Sequence, residues 1–324
     1  MDTPMLRSLT LAVLSLSAAA AVAQDYPLTV EHAFGQTTLD ARPERIASVG
    51  WANHEVPLAL GVVPVGFAMA NWGDDDGDGL LPWVTARLDE LDAETPVLFD
   101  EGDGVDFEAV AATDPDVILA AYSGISRTDY ETLSQIAPVI AYPEAAWTTT
   151  WREMIRQNAL GIGMAEEGDQ LIETLEARID DAVAEHPELK GETGMFVTHL
   201  DPRDLSTIGF YASADQRVQF LQDLGMAIPQ AVRTASEAGH YSGRISAERV
   251  DLFDDVDVVV TYGDRARLDE MKENPLIAQF PAIARDAVVL LGNDSIGTAA
   301  NPTPLSLGYV LDDYLQMLST AAAK

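Results

Sequence analysis

From residue 43 onward, short runs of β-branched and aliphatic residues alternate with stretches whose apolar positions recur every three or four residues. The short runs predict strands at 45–49, 63–67, 117–121, 139–142, 195–200, 205–209, 256–262 and 287–291. The stretches between them predict helices, an order that yields α/β layers with mostly parallel sheets. One segment departs from this alternation. Between 151 and 188, Leu171, Ile172, Leu175, Ile179, Ala182 and Val183 form one apolar stripe at helical spacing, bounded by Gly161, Gly163 and Pro187. A helix over 165–185 is about 30 Å long at ~1.5 Å per residue, enough to bridge two lobes.

The two halves of the chain echo each other. Val105-Asp-Phe-Glu108-Ala-Val110 stands seven residues before the apolar run Val117-Ile-Leu-Ala, and Ile245-Ser-Ala-Glu248-Arg-Val250 precedes Val258-Val-Val-Thr by one residue more. A second echo leads from Ser48-Val-Gly50-Trp51 to Leu60-Gly61, and from Thr207-Ile-Gly209-Phe210 to Leu224-Gly225. Two echoes in the same order predict two similar α/β lobes joined by a single long helix, with a ligand cleft between them. The expected division is a leader over 1–23, an amino-terminal lobe over 24–150, a linking helical segment over 151–188 and a carboxyl-terminal lobe over 189–324.

The leader has its own pattern: a short n-region with Arg7, an apolar run from 9 to 21, and Ala21-Val22-Ala23 before Gln24. That pattern is a secretory signal peptide cleaved after Ala23. Its apolar run is shorter than the ~20 residues of a membrane span. There is no cysteine, hence neither a disulfide framework nor a thiol to carry a lipid, and a freely diffusing periplasmic monomer is expected. With 53 acidic residues against 19 basic ones, the formal charge is −34. Such a surface repels phosphate backbones, which excludes nucleic acid as a partner.

Signatures of catalysis are missing. His54-Glu55 opens like a zinc-protease helix, but Leu58 stands where the second ligand belongs. No G-x-S-x-G elbow occurs, and Gly161-Ile-Gly163 lacks the third glycine of a dinucleotide loop. Histidines 32, 54, 186, 199 and 240 show no ligand spacing. The stretch WGDDDGDG (72–79) puts Asp74, Asp76 and Asp78 at the first, third and fifth places of a calcium loop and Gly79 at the sixth. Thr85 holds the twelfth place, however, where a bidentate glutamate is needed. An EF-hand is therefore not specified, a looser cation site stays open, and the loop is expected as a lip at the mouth of the cleft.

Aromatic residues stand just beyond the expected strand ends: Trp51, Trp72, Tyr122, Trp147, Phe210, Tyr211, Tyr241 and Tyr262. Ligands of open α/β sheets bind outside the carboxyl ends of the strands, so two facing lobes would enclose an aromatic-lined cleft. Arg217, Arg244 and Arg265 fall near the same edges and suit an anionic ligand.

Four stretches carry a resemblance: RIASVGWANHEVPLALGVVPVGF (45–67), VDFEAVAATDPDVILAAYSG (105–124) followed by YETLSQIAPVIAYP (130–143), ISAERVDLFDDVDVVVTYG (245–263) and TPLSLGYVLDDYLQML (303–318). The chain resembles the class III periplasmic substrate-binding proteins of bacterial ABC importers, which bind ferric siderophores, haem and cobalamin. The resemblance implies two lobes on one rigid helix. It also implies that Glu108 and Glu248, each heading a helix, dock on arginines of the permease, one through each lobe. A carboxylate in a first helical turn is favoured by the dipole and stays free to pair with a guanidinium.

Within that family the pattern looks closest to iron–siderophore binders, hydroxamate or mixed type rather than catecholate. The expected ligand contacts are Trp51, Trp72, Tyr122, Trp147, Tyr211, Arg217, Tyr241 and Arg244, by stacking and by neutralising residual charge. Iron arrives wrapped in its chelator, so neither a protein ligand to the metal nor a cofactor is expected. Haem or cobalamin is the alternative in the same class, with Tyr122, Tyr211 and His54 available as axial ligands. A secreted α/β hydrolase is the alternative from another class, and it requires a nucleophile–base pair that the chain does not display.

Overall fold

The computed structural model describes residues 25–198, 206–236 and 240–324; the expected leader and His199 lie outside them. A hairpin of β1 (Leu28–His32) and β2 (Gly35–Leu39) precedes two five-stranded sheets. The first contains β3 (Ile46–Ser48), β4 (Gly66–Ala68), β5 (Val97–Phe99), β6 (Val117–Ala120) and β7 (Val139–Ala141), in the order β5-β4-β3-β6-β7. All its pairings are parallel. Strands β3, β6 and β7 are buried at every position, which is why they read as unbroken apolar runs. Strand order reverses between β3 and β6, so their carboxyl ends open a crevice.

The second sheet contains β8 (Gly194–Val197), β9 (Thr207–Tyr211), β10 (Ser242–Ser246), β11 (Val258–Tyr262) and β12 (Val288–Leu291), ordered β10-β9-β8-β11-β12. Here β8, β11 and β12 are parallel, whereas β9 and β10 form antiparallel pairs. The first echo is structural: the helix Phe107–Ala112 leads into β6 beside β3, and the 3-10 turn Ala247–Phe253 leads into β11 beside β8. The second echo is not. Gly50 follows a central parallel strand while Gly209 lies inside antiparallel β9, so only the helix-ending glycines correspond, Gly61 and Gly225 at φ of 81° and 85°.

Four strands escape the periodicity reading, namely β1, β2, β5 and β10, and β4 begins three residues later than expected. Pro64 has no N–H to give a ladder and Val63 is left on the surface, so pairing starts beyond them.

The helix Ala165–Ala184 runs 20 residues and buries Ile172, Leu175, Ile179 and Ala182 of the expected stripe, with Leu171 and Val183 half-buried at its margins. It packs against the helix Trp151–Gly161 and the terminal helix Leu307–Ala322. A Cβ on Gly168 would stand 2.5 Å from that of Ala159, so glycine permits the first of these approaches. Charged bonds tie the joint across the lobes. Arg152 donates to Glu176 at 2.6 Å and to Asp223 at 2.8 Å, and Trp151 Nε1 donates to the same Asp223 at 3.0 Å. One apolar cluster runs through it, from Val56 and Phe67 to Leu311 and Leu315.

Glu55 closes the joint on the other side. Its buried carboxyl accepts from Trp83 Nε1 at 2.7 Å and from Leu305 N at 3.0 Å, linking the first lobe to the segment before the terminal helix. Burial pushes the carboxyl up to about 7, against hydrogen bonds from Thr303, Trp83, Leu305 and Ser306.

Candidate ligand-binding cleft

A cavity of about 360 Å³ lies between the two sheets. The first lobe contributes Trp51, Asn71, Trp72, Tyr122 and Trp147, and the second Tyr211, Arg217, Tyr241 and Tyr262, with Thr298 and Asn301 from the segment that follows. Trp51 and Tyr122 sit just beyond β3 and β6, at the reversal of strand order. Tyr211 and Tyr241 arrive by another route. The antiparallel β9–β10 pairing sets Ser242 opposite Tyr211, and Ala212 N donates to Tyr241 O at 2.8 Å, so both rings leave one end of the hairpin.

The chain is held in unusual conformations on the first-lobe side. Gly50 has φ of 73°, and a Cβ there would stand 2.7 Å from Ser123 Cβ and 2.9 Å from Tyr122 O. Trp147 occupies the left-handed region at 62°, costly for a bulky residue by about 1–3 kcal/mol and typical of sites that need a fixed ring. Its indole packs on Gly124, where any Cβ would fall 2.3 Å from Nε1, and it meets Tyr122 edge-on at 5.3 Å. The Trp51 indole N–H is buried with no acceptor among the described residues, a donor left over for a ligand.

Among the described lining residues, Arg217 is the cation. It sits in the first turn of the helix Gln216–Asp223, whose N-cap is the fully buried Asp215. Asp215 Oδ1 accepts from Arg217 N at 2.8 Å, and its Oδ2 accepts from Arg217 Nη1 at 2.6 Å. The guanidinium carbon lies 4.1 Å over the Tyr211 ring, and Nε donates to the Tyr262 hydroxyl at 3.2 Å. Burial works against the Arg217 charge, but Asp215 outweighs it and holds the guanidinium well above its ordinary value. Burial also raises the Asp215 carboxyl, against the pull of Arg217; the two short bonds between them, with the Arg217 charge so favoured, make an ion pair that is rigid and locally neutral. Tyr122 donates to Asn301 Oδ1 at 3.3 Å, an oxygen that also accepts from Gln216 Nε2, so the floor joins both lobes.

Of the eight expected ligand contacts, seven converge on this cavity. Arg244 does not: it is exposed on edge strand β10 and is not among the lining residues. Phe210 is core, its side chain turned to the opposite face from Tyr211 by strand alternation. Arg265 pairs with Asp269 and Asp286, both at 3.0 Å. His54 is stacked on Phe67 at 4.2 Å, and burial drives it down to about 3, so it is a neutral packing residue off the main cavity. Asn71, Thr298 and Asn301 escaped the sequence reading, because a lone polar residue in a loop carries no periodic signal.

The acidic loop is not a helix–loop–helix. Strand β4 precedes it, and Thr85 lies inside the helix Pro82–Glu90. Carboxylate oxygens of Asp74, Asp76 and Asp78 lie within 4.8 Å of one another. They are engaged by the loop's own backbone: Asp74 accepts from Gly77 N at 2.7 Å and Gly79 N at 2.8 Å, and Asp78 from Leu80 N at 2.8 Å. The loop also crosses to the second lobe. Gly73 N donates to Asn293 Oδ1 at 2.9 Å, Ser295 N donates to Asp75 Oδ1 at 3.0 Å, and Trp72 meets Tyr262 edge-on at 5.7 Å.

Glu108 and Glu248 are both exposed in first turns, Glu108 behind the cap Asp106 and Glu248 behind Ser246.

Two α/β lobes on a continuous helical joint, closing over an aromatic cleft with one fixed guanidinium, define a bilobal solute-binding protein. The chain belongs to the periplasmic binding protein family, which matches residues 46–295. It is 42% identical to PiaA of Streptococcus pneumoniae TIGR4, solved in complex with ferrichrome, covering 91% of this chain and 99% of that one with a TM-score of 0.87. It is 25% identical to the ferric enterobactin-binding periplasmic protein FepB of Escherichia coli O6:H1, over 90% of this chain and 93% of that protein. The probable siderophore-binding lipoprotein YfiY of Bacillus subtilis matches at 25% identity over 76% of this chain and 71% of that protein.

Proposed function

We propose that this protein captures a ferric siderophore of hydroxamate or mixed type and delivers it to an inner-membrane ABC permease. The observation that carries this reading is the cleft: rings from both lobes around one arginine whose charge Asp215 already balances. A ferric trihydroxamate is neutral, presents apolar linkers to Trp51, Trp147 and Tyr211, and offers hydroxamate oxygens to the Trp51 N–H and the Arg217 guanidinium. A triply anionic tricatecholate would meet almost no uncompensated positive charge among the described lining residues. Burial pushes the Tyr211 phenol up to about 12 and Tyr122 higher still, which opposes the tyrosinate that a haem iron takes as ligand. The protein takes up iron as cargo within the chelate, with no side chain on the metal.

Lobes over 24–150 and 189–324, with 151–188 between them, move little relative to each other, because Arg152, Glu55 and the shared apolar cluster bind them. Glu108 and Glu248 contact the permease, one from each lobe. The protein works as a monomer after cleavage following Ala23 and, having no cysteine, without the lipid that gives YfiY its description. The test is the native mass of protein isolated from an iron-starved culture. An added mass matching a ferric hydroxamate is expected, and the mass of haem in its place would overturn the reading.

A further inference from the structure

Beside the main cavity, and sharing Trp51, Asn71 and Trp147 as its partition, lies a second chamber of about 340 Å³ that belongs to the first lobe alone. Its ionisable lining is Glu101 and Asp129, with no base among the lining residues. Asp129 serves a helix cap: its Oδ2 accepts from Ser126 N at 2.8 Å in the capping box of the helix Arg127–Leu133, and neither of its oxygens is buried without a partner. Glu101 is half free. Its Oε2 accepts from Gly50 N at 2.9 Å, the amide that the left-handed turn after β3 aims at it, while Oε1 is buried with no partner among the described residues.

A buried carboxyl oxygen without a partner is uncommon in a native protein, since its desolvation is uncompensated. Burial raises Glu101 to about 7, partly offset by the Gly50 N–H. A proton donor brought in by a ligand would satisfy the oxygen and, if cationic, hold the carboxyl ionised.

Resting on the ferric-hydroxamate reading above, we infer that the Glu101 chamber is a subsite for a primary ammonium group carried at the end of a linear ferric trihydroxamate. The chelate fills the aromatic cavity and its aminoalkyl arm passes Trp51 and Trp147 to Glu101 Oε1. Neutral cyclic chelates bind the main cavity alone and leave the chamber to solvent.

The test compares a linear ferric trihydroxamate ending in a primary amine with its N-acetylated form, and with ferrichrome, by tryptophan quenching at pH 8. A charge-assisted bond to a buried carboxylate predicts that the amine form binds about tenfold to a hundredfold more tightly than the acetylated form. Glu101→Gln keeps an acceptor for Gly50 N but turns a donor toward the chamber. It should bring that ratio to about one or below while leaving ferrichrome affinity unchanged. Equal affinities for the two linear chelates on the wild-type protein, or an undiminished ratio in Glu101→Gln, would overturn the subsite. Failure of all three chelates to bind would instead overturn the hydroxamate reading.

Discussion

Replacing Arg217 by methionine separates what the residue does for folding from what it does for the ligand. The substitution keeps an unbranched apolar stem of similar reach but strands the Asp215 carboxylate, fully buried and left with one backbone donor, Arg217 N at 2.8 Å. Breaking a buried pair in this way costs about 3–5 kcal/mol. Adding Asp215→Asn removes the stranded charge and keeps an oxygen to cap the helix Gln216–Asp223. The double variant should therefore recover most of the loss and lie within about 1–2 kcal/mol of wild type. Ligand affinity should not recover, because both variants lack the guanidinium. Losing its bonds to hydroxamate oxygen predicts about a tenfold to hundredfold weaker binding in each. Urea unfolding gives the first quantity and fluorescence titration with ferrichrome the second. A double variant as unstable as Arg217→Met, or an Arg217→Met protein binding like wild type, would refute the reasoning.

Three further outcomes are expected. Glu55 is an acid whose folded pKa lies above its unfolded one, so its stabilising effect is complete below about pH 4.5 and is lost as pH rises through about 7. At ~1.4 kcal/mol per unit this is about 3 kcal/mol, and Glu55→Gln should flatten the fall in unfolding free energy between those limits; an unchanged slope would contradict the assignment. Trimming Asp74–Asp78 to a short glycine turn removes the Asp75 bond to Ser295 N and frees Trp72, and should speed both association and release in stopped flow; unaltered rates would show that the loop is no lip. Glu108→Ala with Glu248→Ala should leave chelate affinity intact and abolish iron uptake in cells, and normal uptake would exclude the docking role.

The parallel core of the fold was legible because β3, β6, β7, β11 and the long helix each bury a continuous run or a regular stripe, patterns that burial itself writes into the residues. Strand β10, SGRIS, is half-exposed at one sheet edge and β5, VLF, lies at another with Val97 exposed and Phe99 alone fully buried, so neither writes one. Trp51, Tyr122 and Trp147 were legible as cleft-lining residues because parallel strand ends point at clefts. Tyr211 and Tyr241 were placed by the same rule, yet an antiparallel hairpin brings them. Arg217 and Arg244 looked alike in the sequence. Only the three-dimensional partner of Arg217, Asp215 at the helix cap, and the edge position of Arg244 separate them. Glu55 and Glu101 were invisible as special carboxylates among 53 acids, since what distinguishes them is burial and the long-range donors Leu305 N and Gly50 N.

The central claim is tested most directly by titrating the purified protein, freed of bound ligand, with ferrichrome, a ferric tricatecholate, haemin and cobalamin while following tryptophan emission. Trp51, Trp72 and Trp147 all line the cleft, so occupancy should quench it. The account predicts saturable quenching by ferrichrome at micromolar or lower concentration and none comparable from the other three. Tight quenching by haemin with no response to any ferric hydroxamate would contradict it.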